Sequence, residues 1–191
     1  MVKGVPPVGA GGVESVASSA TKAVPAILKN KEKILLDSLL LTRSTGVKLR
    51  QRNHTELVLH LVWATWKRMP LIADEDLERC LWRTIQAEAE AKGCSVLAIG
   101  GMPDHIHLVL VHPPTLSVSK LLNQLKGVSS SVARARLGTE SFFQWAEGYA
   151  AFSLSTTHCR HAIAYVERQK EHHSLNDLWE RWERTPESDS A

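Results

Sequence analysis

Residues 54–173 predict an α+β fold, one antiparallel sheet whose elements run β-α-β-β-α-β-α. Two observations carry that prediction. Four runs of strand length are rich in β-branched and aromatic residues, and three longer segments repeat their apolar residues at helical spacing. "TELVLHLVWAT" (55–65) is the first strand, closed by the charged turn "KRMP". Asp74 is placed to cap a helix reaching about Lys92, on which Leu77, Leu81, Ile85 and Ala89 recur every four residues, and Gly93 is placed to end it. "CSVLAIGG" and "HIHLVLV" form two strands joined by the short turn "GMPD", with Gly100 and Gly101 expected in the turn before the second strand. A helix follows from about Ser117 to Leu137, then "YAAFSLS" as the fourth strand, then a last long helix from about Thr157 to His172. This is the order of a ferredoxin-like antiparallel sheet with helices on one face and one C-terminal helix appended. No internal repeat is visible.

The flanks differ from this core. The first 53 residues hold nine Lys or Arg against three acids, whereas residues 54–191 hold fourteen against seventeen, so the net charge of +3 conceals a basic extension on a slightly acidic domain. The extension opens on Gly, Pro, Ala and Ser, passes through "AVPAILKNKEKILLDSLLL", which fits one amphipathic helix, and ends in "RSTGVKLRQRN"; it reads as a flexible addition. Residues 174–191 read as a short helix around "DLWERWER" and a tail. No run approaches the ~18 apolar residues of a membrane span, and the N-terminus lacks the apolar stretch of a secretory signal, so a cytoplasmic protein is expected. Cys80, Cys94 and Cys159 are odd in number and widely spaced, as expected of reduced thiols without a zinc or disulfide role.

The polar residues that need explaining lie in "MPDHIHLVL" (102–110). Successive strand residues point to opposite faces, so His105 and His107 share one face while Ile106 and Leu108 share the other. Two imidazoles side by side can hold a metal or be ordinary strand residues. In "AYVERQKEHH", Tyr165 and Gln169 are four apart and project from one helix face, with His161 a turn before and His172 or His173 a turn after. By itself that stripe fits a solvated helix face. Combined, the features fit phosphoryl chemistry. Two imidazole nitrogens and an amide oxygen leave positions open on a divalent cation for a phosphate, and a tyrosine is a plausible nucleophile toward phosphorus. A phenol with a pKa near ~10 needs a nearby cation or base to react at neutral pH.

From about His54 to His173 the chain resembles the single-tyrosine transposases of small bacterial insertion sequences, which are IS200-like and carry a His-hydrophobic-His signature, and their REP-associated relatives. The resemblance rests on "HLVWAT", "MPDHIHLVL", "LLNQLKG", "GYAAFSLS" and "YVERQKEHH", in that order. It implies that His105, His107 and Gln169 bind Mg²⁺ or Mn²⁺, and that Tyr165 attacks a backbone phosphate of single-stranded DNA, leaving a 5′-phosphotyrosine and a free 3′-OH that can be reversed onto a new partner. It also implies recognition of DNA hairpins and a homodimer in which the tyrosine helix of one subunit completes the other's site. The 53-residue extension has no counterpart in the compact family pattern.

For DNA contact, the helix "LSVSKLLNQLKGVSSSVARARLG" offers Lys120, Lys126 and Arg134 away from its apolar stripe, with no acid between Leu116 and Gly138. Lys67 and Arg68 after the first strand form a second candidate patch, and Trp66 and Trp145, in expected loops, are candidates for base stacking. Trp63 and Trp82 are expected in the core. Two other readings stay open: a domesticated protein that binds hairpins without cutting, and a relaxase or replication initiator with the same histidine signature. The set His105, His107, Tyr165 and Gln169 favours the cutting enzyme, since binding alone has no need of it.

Overall fold

A computed structural model describes residues 54–138 and 141–185. The expectations for the basic extension and for the last six residues lie outside them. The described chain forms β1 (Val58–Ala64), a tight turn at Trp66–Arg68, α1 (Glu75–Ala91), β2 (Ser95–Met102), β3 (His105–Val111), α2 (Val118–Leu137), β4 (Ala150–Leu154), α3 (Thr156–Glu167), α4 (Gln169–Leu175) and α5 (Glu180–Glu183). The strands make one sheet in the order β2-β3-β1-β4, with every pair antiparallel. This is the ferredoxin-like α+β arrangement expected from the order of elements.

The side-chain alternation divides the sheet into two unlike faces. Leu61 and Trp63 of β1 with Ile106, Leu108 and Leu110 of β3 point to one side, where they are fully buried in a core shared with α1 and α2. α1 contributes Leu77, Leu81, Ile85 and Ala89, the four positions its periodicity marked, and starts with the Asp74 side chain accepting from the Leu77 N–H at 2.7 Å. Gly93, at φ +82°, follows it in the left-handed region that a residue without a Cβ enters most readily. On the opposite side of the sheet lie His60, His105 and His107, covered by α3, α4 and α5.

Three local expectations are corrected. Gly100 and Gly101 lie within β2, and the connection to β3 needs only Pro103 and Asp104. Their role is close approach: a Cβ on Gly100 would come within 2.3 Å of the Val166 carbonyl oxygen, and one on Gly101 within 2.3 Å of that of His105. The last helix is two helices, because the backbone leaves helical geometry at Arg168 (φ −111°, ψ 24°), just after the Val166 carbonyl is brought against β2. Trp145 is no surface platform. It is buried edge-on against Trp63 with its ring N–H donating to Ser129 Oγ at 2.9 Å, since residues 142–146 form a covering segment over the core.

Candidate metal and nucleophile site

His105 and His107 occupy alternate positions of β3 and are fully buried, with ring centroids 5.0 Å apart. A buried imidazole needs its nitrogens satisfied, and each ring has a partner on its Nδ1. His105 Nδ1 lies 2.7 Å from Asp104 Oδ1, and His107 Nδ1 lies 2.9 Å from His60 Nε2 on the neighbouring strand. The same Nδ1 lies 3.0 Å from Arg68 Nη2, a donor; in the tautomer that donates from Nδ1 to Asp104, His105 presents a lone pair at Nε2. Arg68 secures that carboxylate from the other side, its Nε donating to Asp104 Oδ2 at 2.9 Å. Burial raises the Asp104 pKa, but the His105 hydrogen bond and the Arg68 charge outweigh it and hold the group at about 2. An outer carboxylate or imidazole that orients a ring in this way is the usual support of a metal-ligating histidine.

On the far side of the site, α3 places Tyr165 and the start of α4 places Gln169, both buried. The sequence spacing that puts them on one face survives the break at Arg168. Both converge on Glu183, the last residue of α5: the Tyr165 hydroxyl donates to Glu183 Oε1, and Gln169 Nε2 donates to the same oxygen at 2.7 Å. Glu183 Oε2 lies 3.1 Å from His105 Nε2, and Oε1 lies 3.4 Å from His107 Nε2. His173 Nε2 is 3.4 Å from Oε2, and the His172 ring stacks on Tyr165 with centroids 4.7 Å apart. His161, the third histidine of the predicted stripe, is exposed.

The electrostatics favour positive charge at the centre. Burial lowers the His107 and His60 pKa values to about 4 and about 3, so both rings are neutral near pH 7 and available as ligands or acceptors. His105 is pulled the other way: burial opposes its charge, but the Asp104 and Glu183 carboxylates on either side of the ring raise its pKa. Burial and the Glu183 hydrogen bond together push the Tyr165 phenol well above its ordinary value. Burial disfavours the Glu183 carboxylate, yet the His105 and His107 imidazoles beside it and the Tyr165 hydroxyl that donates to it hold its pKa well below the usual carboxylate range.

The unpaired atoms fit a cation. His105 Nε2, His107 Nε2, Gln169 Oε1 and Glu183 Oε2 are all buried without a hydrogen-bond partner. Four such atoms in one place are uncommon in a folded protein, where buried polar groups are nearly always satisfied. His105, His107 and Glu183 present ligand atoms within 4.8 Å of one another. Imidazole nitrogens beside carboxylate and amide oxygens are donors that suit a divalent cation.

The proposed DNA contacts separate into two groups. Lys120 and Arg134 are exposed on α2, and Lys67 is exposed with its ammonium 4.4 Å from the centre of the half-buried Trp66 ring. Lys126 instead donates to the carbonyl of Ala146 at 2.9 Å and also reaches Glu147 and Gly148. Arg68 is engaged by Asp104 and by Thr185, to whose hydroxyl its Nη1 donates at 3.2 Å. Its φ of +50°, rare for a residue with a side chain, accompanies that engagement.

Sequence reasoning missed His60, Asp104 and Glu183. His60 was legible as a polar residue inside an apolar strand, and Asp104 as the acid beside His105. Glu183 carried no comparable signal, being one acid of several in "DLWERWER".

The sequence matches the family model described as "Transposase IS200 like" over residues 53–169. Among solved structures, the chain is similar to a candidate transposase from Deinococcus radiodurans R1, at 27% identity and a TM-score of 0.50, over 62% of this chain and 95% of the other. It shares its fold, at 14% identity and a TM-score of 0.50, with a REP-associated tyrosine transposase bound to a REP hairpin, over 71% of this chain and 79% of that one. No curated protein matches the chain.

Proposed function

The chain belongs to the IS200-like transposases, and from that membership we propose that it cuts and rejoins single-stranded DNA in a metal-dependent reaction with Tyr165 as nucleophile. One observation carries the reading. The Tyr165 hydroxyl, the Gln169 amide and the Nε2 atoms of both β3 histidines gather around a single carboxylate, that of Glu183. A position that holds an anion beside a nucleophile and two metal-ligating nitrogens is where a scissile phosphate oxygen would lie in a productive complex.

His105, His107 and Gln169 would hold the ion, through Nε2, Nε2 and Oε1. A bound Mg²⁺ or Mn²⁺ would supply Lewis-acid polarisation of the phosphate. Tyr165 Oη forms the bond to phosphorus as its proton is lost to solvent, and the bond from phosphorus to the 3′ oxygen breaks, that oxygen taking a proton from solvent, giving a 5′-phosphotyrosine and a 3′-OH. Because one ester replaces another, the 3′-OH of a second strand reverses the step without an external energy source. Asp104, secured by Arg68, and His60 orient the two imidazoles throughout.

Hairpin DNA is the proposed substrate form, carried over from the REP hairpin bound to the structural relative. Lys120, Arg134 and Lys67 are the exposed cations proposed to meet its phosphates, and binding through them should weaken as salt rises. Lys126 and Arg68 would contribute indirectly, through the protein groups they hold. Tyr165 reaches the histidines of its own chain. A homodimer remains part of the proposal, and sedimentation of the free protein decides whether one forms.

The test mixes full-length protein with labelled single-stranded hairpin oligonucleotides in Mn²⁺ or EDTA. A denaturation-resistant adduct is expected only with metal and should be absent in Tyr165→Phe, which should still bind DNA. An adduct persisting in Tyr165→Phe would rule out the nucleophile. Hairpin binding with no adduct in any condition would favour a binding protein that does not cut.

A further inference from the structure

The geometry points to Glu183, from the C-terminal segment, as an additional protein ligand to the cation in the DNA-free protein, with its other oxygen holding the Tyr165 hydroxyl. This rests on the metal-dependent reading of the two histidines and adds a residue lying beyond the matched residues 53–169.

Glu183 is delivered to the site by anchors on either side of it. Trp182 is buried, its ring 5.1 Å from that of His60 and 5.3 Å from that of Tyr165. Thr185 is held by Arg68. Between them the carboxylate is inserted with its two oxygens in different roles. Oε1 accepts from Tyr165 and Gln169, whereas Oε2 accepts from nothing, although it lies 3.1 Å from His105 Nε2.

That unpaired contact is informative. When a neutral His105 donates from Nδ1 to Asp104, it offers a lone pair at Nε2, and Oε2 offers only lone pairs as well. Gln169 spends its amide on Oε1 and leaves its own oxygen without a partner. When His107 donates from Nδ1 to His60, its Nε2 joins the same set. Acceptors that converge without a donor repel one another unless a positive centre lies between them. The 3.1 Å between Glu183 Oε2 and His105 Nε2 matches the separation of neighbouring ligand atoms that each lie about 2.1 Å from one ion, and His107 offers a ligand nitrogen in the same cluster. A third point is charge: two neutral imidazoles and an amide leave a divalent ion uncompensated, and Glu183 supplies the anion that a phosphate supplies once DNA arrives.

Calorimetric titration of Mn²⁺ into the full-length DNA-free chain tests the assignment without reference to cleavage. The parent should bind one Mn²⁺ and Glu183→Gln should bind it about tenfold or more weakly. Water-proton relaxation should show a higher hydration of the bound ion in the variant. Equal affinity and equal hydration in parent and Glu183→Gln would overturn the assignment while leaving the histidine site intact. Absence of Mn²⁺ binding by the parent, or unaltered binding in His107→Ala, would overturn the metal reading itself and this inference with it. Should Glu183→Gln lose its circular dichroism signature, Glu183→Asp, which keeps the charge on a shorter arm, is expected to weaken binding too, and unchanged affinity there would equally overturn the proposal.

Discussion

The two faces of one sheet obey different rules. Facing α1 and α2, the side chains of β1 and β3 are Leu61, Trp63, Ile106, Leu108 and Leu110, large apolar groups without exposure. Facing α3 to α5, the same strands present His60, His105 and His107 among the small apolar Val62, Ala64 and Val109, equally buried but with several histidine nitrogens lacking a partner. Burial on the first face stabilises the fold at roughly 25 cal/mol per Å² of apolar surface removed from water. On the second it desolvates polar atoms, a cost that is recovered only when something binds. From His105 to Leu108, adjacent residues of β3 therefore alternate between polar atoms held out of water and apolar core.

The largest test of that contrast is Leu108→Ala, which should lower unfolding free energy by about 2–5 kcal/mol in urea titration because a core cavity remains. His107→Leu, one residue away, should cost less, about 1–3 kcal/mol in the same titration for the buried His60 nitrogen it leaves unpaired, while losing Mn²⁺ binding. If the two substitutions destabilised equally, the division of labour between faces would not hold. Gly100→Ala probes the boundary where α3 meets the sheet. The added Cβ has 2.3 Å to the Val166 carbonyl, so a cost of about 1–3 kcal/mol is expected in thermal unfolding, with adduct formation reduced because Tyr165 and Gln169 shift. His60→Phe should leave folding near the parent and weaken Mn²⁺ by roughly 10–100-fold, a calorimetric measure of how far the ring behind His107 tunes the ligand. The smallest effect, about 1 kcal/mol in stability with no change in metal affinity, is expected of Asp74→Ala, which removes a helix cap on the apolar side only.

Most of the fold was legible because each element carries its own local signal. Asp74 and Gly93 bracket α1, the Leu77 to Ala89 spacing marks its buried face, and the pleat places His105 and His107 on one side whatever covers them. The errors share one cause. Gly100 and Gly101 looked like turn residues because a glycine pair has that local preference, whereas the deciding factors were close carbonyls, that of Val166, 66 residues beyond Gly100, and that of His105 on the paired strand for Gly101. The interruption at Arg168 carries neither Pro nor Gly, so no residue announces it. Trp145 lies in an irregular segment, and only its packing against Trp63 and Ser129 makes it part of the core.

The site divides in the same way. Sequence alone determined the local geometry: the shared face of His105 and His107, set by the two-residue period of a strand, and the shared face of Tyr165 and Gln169, set by the helical turn. Tertiary structure decided which groups complete it. His60 stands behind His107 because β1 pairs with β3 in a register that sets Val62 opposite His107. Arg68 supports Asp104 because the turn after β1 meets the β2–β3 connection. Glu183 enters because Trp182 packs back onto His60 and Tyr165. Periodicity encodes which side chains of one element point together; contacts between elements depend on register and packing, which arise only once the chain has closed on itself.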